Sequence, residues 1–299
     1  MMVAQEFIDE GNPIRSVLKY CKVPISTYYY KPNGRKQGRK PYAFYLDSQG
    51  KPLEKQDIVD AIKKLFENPF VDYGYLKTWI YLKDELGYKI SRDFTYQIMK
   101  EYHLLNMSKK DKNKKGIRNR AEAMVPEPVC EFSYWEFDIK YVWIHGKRRN
   151  AQVLTILDVF SRWNMGQYIS FDIKQQHVIK LFKEVVESFK LPAKFIVRND
   201  NGSQFVAKSV QEYLLSIGAT QEFTKPATPQ MNAHIESYHS IMENAVCQRF
   251  EFNDMKNFKE TMQEFQKFYN FERIHSGVGY TSPYKFLLKK GVDLKQPPL

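Results

Sequence analysis

Asp138, Asp200 and Glu236 stand where a carboxylate is either ordinary or chemically useful. Asp138 interrupts a run of aromatic and branched residues, "WEFDIKYV", and a carboxylate facing the interior of such a run is costly unless it is paired. Asp200 closes "KFIVRND" just ahead of Gly202, and open α/β sheets gather their chemistry at the carboxyl ends of strands. Glu236 falls in "TPQMNAHIESYHS", early on a stretch that reads as helix. Taken singly, each has a plain alternative: an outward surface Asp, a turn former, a solvated helix Glu. Taken together, adjacent carboxylates repel, raise one another's pKa and require a cation between them. A hard divalent ion with oxygen ligands, Mg²⁺ or Mn²⁺, meets that requirement.

The elements that must position these acids follow from periodicity. From residue 131 the pattern alternates as strands do, in "FSYWEFDIKYVWI", "AQVLTILDVFSR" and "WNMGQYIS", joined by short turns. An amphipathic helix, "QQHVIKLFKEVVESFK", precedes the strand "AKFIVRND", the helix "SVQEYLLSIG", the strand "ATQEFT" and two closing helices from Asn232 onward. Three strands, helix, strand, helix, strand, helix is the order of a ribonuclease-H-like α/β core, a mixed five-stranded sheet with flanking helices. In that order the first and fourth strands are neighbours, which brings Asp138 to Asp200. Helical phase then sets Asn232, Glu236, His239, Ser240 and Glu243 on one side of the next helix.

Upstream, "DIVDAIKKLFEN" sets Ile58, Ile62, Leu65 and Phe66 on one face, and "YGYLKTWIYLKDELG" does the same with Leu76, Trp79, Ile80, Lys83 and Leu86. Ser91 is the expected N-cap of a third helix with Arg92, Tyr96, Gln97 and Lys100 free to face outward. This is either a helix-turn-helix or an ordinary three-helix bundle. The expected organisation is a short helical segment over 1–40, a helix-turn-helix module over 54–107, a basic linker over 108–128 and the catalytic core over 129–291.

Composition narrows the partner. The chain has 299 residues, 43% of them hydrophobic and 15% aromatic, which is ample for a packed interior. No apolar run approaches the length needed to span a bilayer, and the first residues show no leader-like apolar segment. Cys21, Cys130 and Cys247 make neither a disulfide framework nor a zinc pair. A reducing, cytoplasmic compartment is the expectation. The net charge of +12 favours a polyanion. Much of the excess lies in "SKKDKNKKGIRNR", whose Lys109, Lys110, Lys112, Lys114, Lys115, Arg118 and Arg120 are candidate phosphate contacts on a solvated linker. Asn201, Gln204 and His239 are further candidate DNA contacts, with turn or helix chemistry as their alternative.

The acids at 138, 200 and 236, with 35 residues between the last two, resemble the DDE signature of transposases and retroviral integrases. Their surroundings are similar to OrfB-type transposases of the third insertion-sequence family. "WEFDIKYV" resembles its first-Asp strand, "NDNGSQF" its second-Asp turn and "TPQMNAHIESYHS" its Glu helix. "YNFERIHSGVGYTSPYKF" resembles its closing motif through Tyr269, Asn270, Arg273, His275 and Pro283. "DYGYLKTWIYL" and "SRDFTYQIMKEYHLL" resemble the helix-turn-helix segment ahead of the core. The resemblance implies metal-dependent cleavage and transfer of DNA strands at insertion-sequence ends. Asp138, Asp200 and Glu236 would hold two Mg²⁺ or Mn²⁺ ions per active site. The implied partners are transposon-end and target DNA, further copies of the chain on that DNA, and an upstream OrfA-type protein or frameshift fusion. One residue departs from the family pattern: Glu243 stands where a DNA-contacting Lys or Arg is common. A non-catalytic helix-turn-helix regulator and a ribonuclease-H-type nuclease are the alternatives.

Overall fold

The computed structural model describes residues 2–30, 45–105, 128–225 and 229–294. The chain divides into two units, 1–43 and 44–299. In the first, helices α1 (Met2–Asp9), α2 (Ile14–Tyr20) and α3 (Ile25–Tyr28) enclose a small core of Ala4, Val17 and Leu18. Pro13 and Pro24 stand directly before α2 and α3, where their missing N–H costs nothing.

The second unit begins with a two-residue hairpin, β1 (Tyr45–Leu46) and β2 (Pro52–Leu53), and helix α4 (Lys55–Glu67). Glu54 and Asp57 cap α4 reciprocally, and Ile58, Val59 and Ile62 are its buried face. Helix α5 (Tyr75–Ile80) runs into a π turn, Tyr81–Glu85. The wider turn shifts the helical phase, so Leu82 is buried and Lys83 points outward, against the expectation that Lys83 lies on the apolar face. Helix α6 (Arg92–Glu101) starts at Ser91, whose hydroxyl accepts the Phe94 N–H at 3.2 Å. Arg92, Tyr96, Gln97 and Lys100 are exposed on α6.

The central sheet contains β3 (Tyr134–Ile144), β4 (Arg149–Asp158), β5 (Asn164–Ser170), β6 (Phe195–Asn199) and β7 (Ala219–Phe223), in the spatial order β5-β4-β3-β6-β7. The pairs β3–β4 and β4–β5 are antiparallel, and β3–β6 and β6–β7 are parallel. The mixed sheet and strand order are those of the ribonuclease-H-like core expected from the sequence. Helices α7 (Gln175–Ser188) and α8 (Lys208–Ser216) connect the parallel strands. They cover one face through Phe182, Val185 and Leu214, against Trp135, Phe137 and Phe195. On the other face lie α9 (Ala233–Met242), α10 (Met255–Lys267) and the segment around Phe70 and Tyr73, packed on Val142, Val153 and Leu157. Both α9 and α10 continue as π turns, Glu243–Cys247 and Phe268–Glu272. A last helix, α11 (Pro283–Lys289), has Pro283 in its first turn and Ser282 as N-cap. Among the described residues, no helix is long and apolar enough to cross a membrane.

Two-residue periodicity on β3 decides what each side of the sheet receives. Trp135 and Phe137 are fully buried against α7 and α8, where Phe137 meets Phe182 and Phe205 edge-on. Burying such a ring stabilises the fold by roughly 1.5–3 kcal/mol. Glu136, Asp138 and Lys140 therefore share the opposite face, beneath α9.

Candidate active site

Glu136 organises the base of the site. It is fully buried, and its Oε2 accepts the N–H groups of His234 at 3.0 Å and Ile235 at 2.7 Å. A carboxylate from the central strand thus takes the place of a local cap at the first turn of α9, where free N–H groups and the helix dipole favour negative charge. Burial pushes the Glu136 carboxyl up to about 7, while those two N–H groups and the charges of Arg198 and Arg162 hold it down. Arg198 on β6 bonds Glu222 at 2.8 and 3.0 Å and the Met231 carbonyl at 2.9 Å. The strand on one side of β3 therefore also fixes the approach to α9.

Asp138 lies two residues further along β3, half-buried on the same face. Its carboxyl is pushed up to about 7, first by burial and then by the negative charges of Asp200 and Glu236; the Ile139 N–H and Lys140 oppose the rise. Asp200 and Glu236 thus both come into electrostatic reach of Asp138 near the middle of β3. The His239 imidazole on α9 approaches Asp138 with Nδ1 3.6 Å from Oδ2. Burial and the Lys140 charge push its pKa down to about 4, so at neutral pH it is an uncharged neighbour of Asp138. Glu236 is exposed in the first turn of α9, and burial of its carboxyl raises its pKa.

Asp200 follows the last residue of β6, and its Oδ1 accepts the Gly202 N–H at 2.9 Å. A Cβ on Gly202 would stand 3.1 Å from that oxygen and 2.6 Å from Gln204 Nε2, so a side chain there would push the Gln204 amide aside and crowd the Asp200 carboxylate. Phe205, wholly buried against Phe137, anchors the far end of the turn. Asn201 is exposed and donates to the Thr224 carbonyl at 2.9 Å, joining the ends of β6 and β7. Gln204 lies half-buried over Gly202. Lys109, Lys110, Lys112, Lys114, Lys115, Arg118 and Arg120 lie outside the described residues.

As placed, no three Asp, Glu, His or Cys side chains among the described residues form a ready metal cage. The Asp200 carboxylate is turned to the Gly202 N–H. The donor set still fits a hard divalent ion: three carboxylates, one of them raised by burial and by the charges of the other two, beside an uncharged imidazole. Glu243 pairs with Lys140 at 2.9 Å, so the positive charge in this neighbourhood comes from β3 while the acid comes from the end of α9.

The closing motif is a clamp. Asn270 exchanges two hydrogen bonds with the backbone of Asn164, both at 2.9 Å, and the Asn164 side chain reaches the Tyr238 hydroxyl at 2.9 Å. Arg273, almost fully buried, bonds both oxygens of Asp72. The Tyr73 hydroxyl accepts the Ile274 N–H at 2.8 Å. Sequence reasoning singled out the motif and missed these partners, as it missed Glu136. The signal for Glu136 was present: an acid two positions before Asp138, on the same face of the same strand.

Known proteins are similar to this chain across the central sheet and the helices that follow it. Two models, each described as integrase core domain, match residues 128–229 and 217–283 and together span more than half of the chain. The chain therefore belongs to the proteins built on an integrase core. Within that class it is an insertion-sequence transposase: it is 24% identical over 245 residues to the transposase for insertion sequence element IS904 of Lactococcus lactis, covering 78% of this chain and 94% of that protein. It is 20% identical over 286 residues to the putative transposase InsK for insertion sequence element IS150 of Escherichia coli K12, covering 92% of this chain and 93% of that protein. Among solved structures, the HTLV-2 integrase catalytic core domain in complex with magnesium aligns with a TM-score of 0.42 at 15% identity, covering 53% of this chain and 97% of that one.

Proposed function

We propose that this transposase cleaves one DNA strand at each end of an insertion sequence and joins the freed 3′-hydroxyl to target DNA. Asp138, Asp200 and Glu236 would hold two divalent ions, Mg²⁺ or Mn²⁺. When bound, such ions polarise the scissile phosphodiester and stabilise the charge that builds on the attacking and leaving oxygens. The chain's own work is positioning. Asp138 is fixed by a strand bonded on both sides, Glu136 holds the first turn of α9 and with it Glu236, and the Gly202 turn presents Asp200. No covalent enzyme intermediate is required, because the attacking groups are water and then a DNA hydroxyl. The observation that carries this reading is the placement of the acids: Asp138 on β3, Asp200 directly after the neighbouring strand β6, and Glu236 on the first turn of the helix that Glu136 anchors.

DNA would be held by the exposed face of α6, by Lys109 to Arg120, and by Asn201 and Gln204 near the site. Several copies of the chain would assemble on the two ends, with an upstream OrfA-type partner or fusion supplying further end recognition. The test is strand cleavage and joining on end-sequence duplexes with Mg²⁺. Asp138→Asn, Asp200→Asn and Glu236→Gln should each abolish both reactions while leaving duplex affinity largely intact. Substantial cleavage by purified Asp200→Asn protein overturns the assignment.

A further inference from the structure

A second polar cavity, of about 360 Å³, opens on the flank of α9 away from Asp138. Its walls include Lys77 from α5, Arg162 from the β4–β5 turn, His234 from α9, and Arg273 and His275 beyond the last π turn. On α9 the residues that line it are His234, Ser237, Tyr238 and Ile241, at helical spacing, whereas His239 faces Asp138. The two sites thus lie on opposite flanks of one helix.

Three features of the cavity point to an anion. First, it gathers three cationic side chains, and among the described residues only Arg273 has an acid bonded to it, Asp72, whose charge also reaches Lys77. Lys77 rests on the face of Tyr73, 5.5 Å from the ring centre, with no ion pair among the described residues. Glu136 and Asp158 are within electrostatic reach of Arg162. The Asp158 oxygens are taken by Phe132 and Ser161 and Glu136 Oε2 by the start of α9, while Glu136 Oε1 is buried without a hydrogen bond to Arg162.

Second, the Arg162 Nη1 and Arg273 Nε donors are both buried without a hydrogen-bond partner among the described residues. Buried orphan donors are rare in native proteins, and these two border one cavity.

Third, Arg162 adopts a left-handed backbone, φ 63°, where Gly or Asn would be less strained. Asp158 holds that turn by accepting the Ser161 N–H at 2.8 Å, and the guanidinium lies so close over Gly277 that a Cβ there would sit 3.2 Å from its Nε. The strained turn aims a guanidinium into the cavity. Burial and the nearby Arg273 charge also push the Lys77 amine down to about 8, a penalty that an entering anion relieves.

We infer that this cavity receives a phosphate oxyanion, and that the phosphate belongs to a DNA backbone passing the flank of α9 opposite Asp138. A planar guanidinium beside an ammonium suits a tetrahedral oxyanion with two ester arms. The source of the phosphate rests on the transposase reading; the oxyanion chemistry does not.

The experiment measures duplex affinity of the full chain by fluorescence anisotropy, without divalent metal, across a salt series. Each lost phosphate contact flattens the log–log salt slope by about 0.9, which is roughly eightfold in affinity at about 0.1 M salt. Arg162→Gln and Lys77→Gln should each show this loss, and Lys180→Gln, on exposed α7, should not. Lys77→Gln removes a desolvated ammonium, so it keeps the test open should Arg162→Gln fail to fold. In parallel, inorganic phosphate should raise the melting temperature of the unaltered chain and not of Lys77→Gln. Unchanged slopes in the variants overturn the DNA assignment, and unchanged slopes with melting indifferent to phosphate overturn the oxyanion site altogether. Should the unaltered chain bind no DNA, the transposase reading falls and the phosphate melting arm alone decides the cavity.

Discussion

Replacing Glu136 by Gln isolates the cost of burying one charge beneath α9. The carboxyl has an ordinary value of 4.5 and rises to about 7 in the folded chain, chiefly through burial. An acid whose folded pKa is raised binds its proton more tightly in the native state than in the unfolded one. Stability therefore falls as pH rises from about 4.5 to about 7, and the loss is complete above that window. At about 1.36 kcal/mol for each pH unit of difference, the loss comes to about 3 kcal/mol. Gln keeps an acceptor for the His234 and Ile235 N–H groups and carries no charge. Urea unfolding near pH 4.5 should find the two proteins nearly equal in stability, and near pH 8 the Gln variant should be more stable by about 3 kcal/mol. The raised carboxyls of Asp138 and Asp158 persist in both proteins and drop out of the difference. A variant less stable by the same amount at both pH values would refute this account and make Glu136 a net stabiliser through its hydrogen bonds.

Two further outcomes follow from the same geometry. Arg273→Met leaves Asp72 without its partner in a largely dry setting, where breaking a buried pair costs about 3–5 kcal/mol; an unaltered urea midpoint would show that the clamp contributes nothing. Added MgCl₂ should raise the melting temperature of the unaltered chain by mass action and leave Asp138→Asn unmoved, while in metal-free buffer near pH 8 the Asn variant should melt higher because a desolvated charge is gone.

Much of the core was legible because its strands alternate cleanly and its helices are amphipathic. The order from Tyr134 to Ala233 could be read directly, and with it the neighbourhood of Asp138 and Asp200. The π turns were not legible. A one-residue widening leaves no compositional mark, so Lys83 was assigned to a face that Leu82 occupies. Glu136 has a local mark, its place two positions before Asp138 on the same strand face, but its partners, backbone N–H groups 98 and 99 positions away, have none. The cavity beside Arg162 is less legible still, since its cations come from residues scattered between 77 and 275 and acquire meaning only when the chain has closed.

The bond between Asp72 and Arg273 spans 201 positions, and those from Arg249 to the Pro69 and Val71 carbonyls span 180 and 178. At a ribosomal rate of about 5–20 residues per second, synthesis of that interval takes roughly 10–40 s. During that time Phe70, Val71 and Tyr73 have emerged from the ribosome while the helix meant to cover them has not been made. The nascent chain must therefore hold an uncovered apolar stretch until α10 and Arg273 have been made, and exposed apolar surface of this kind is prone to aggregate in the meantime.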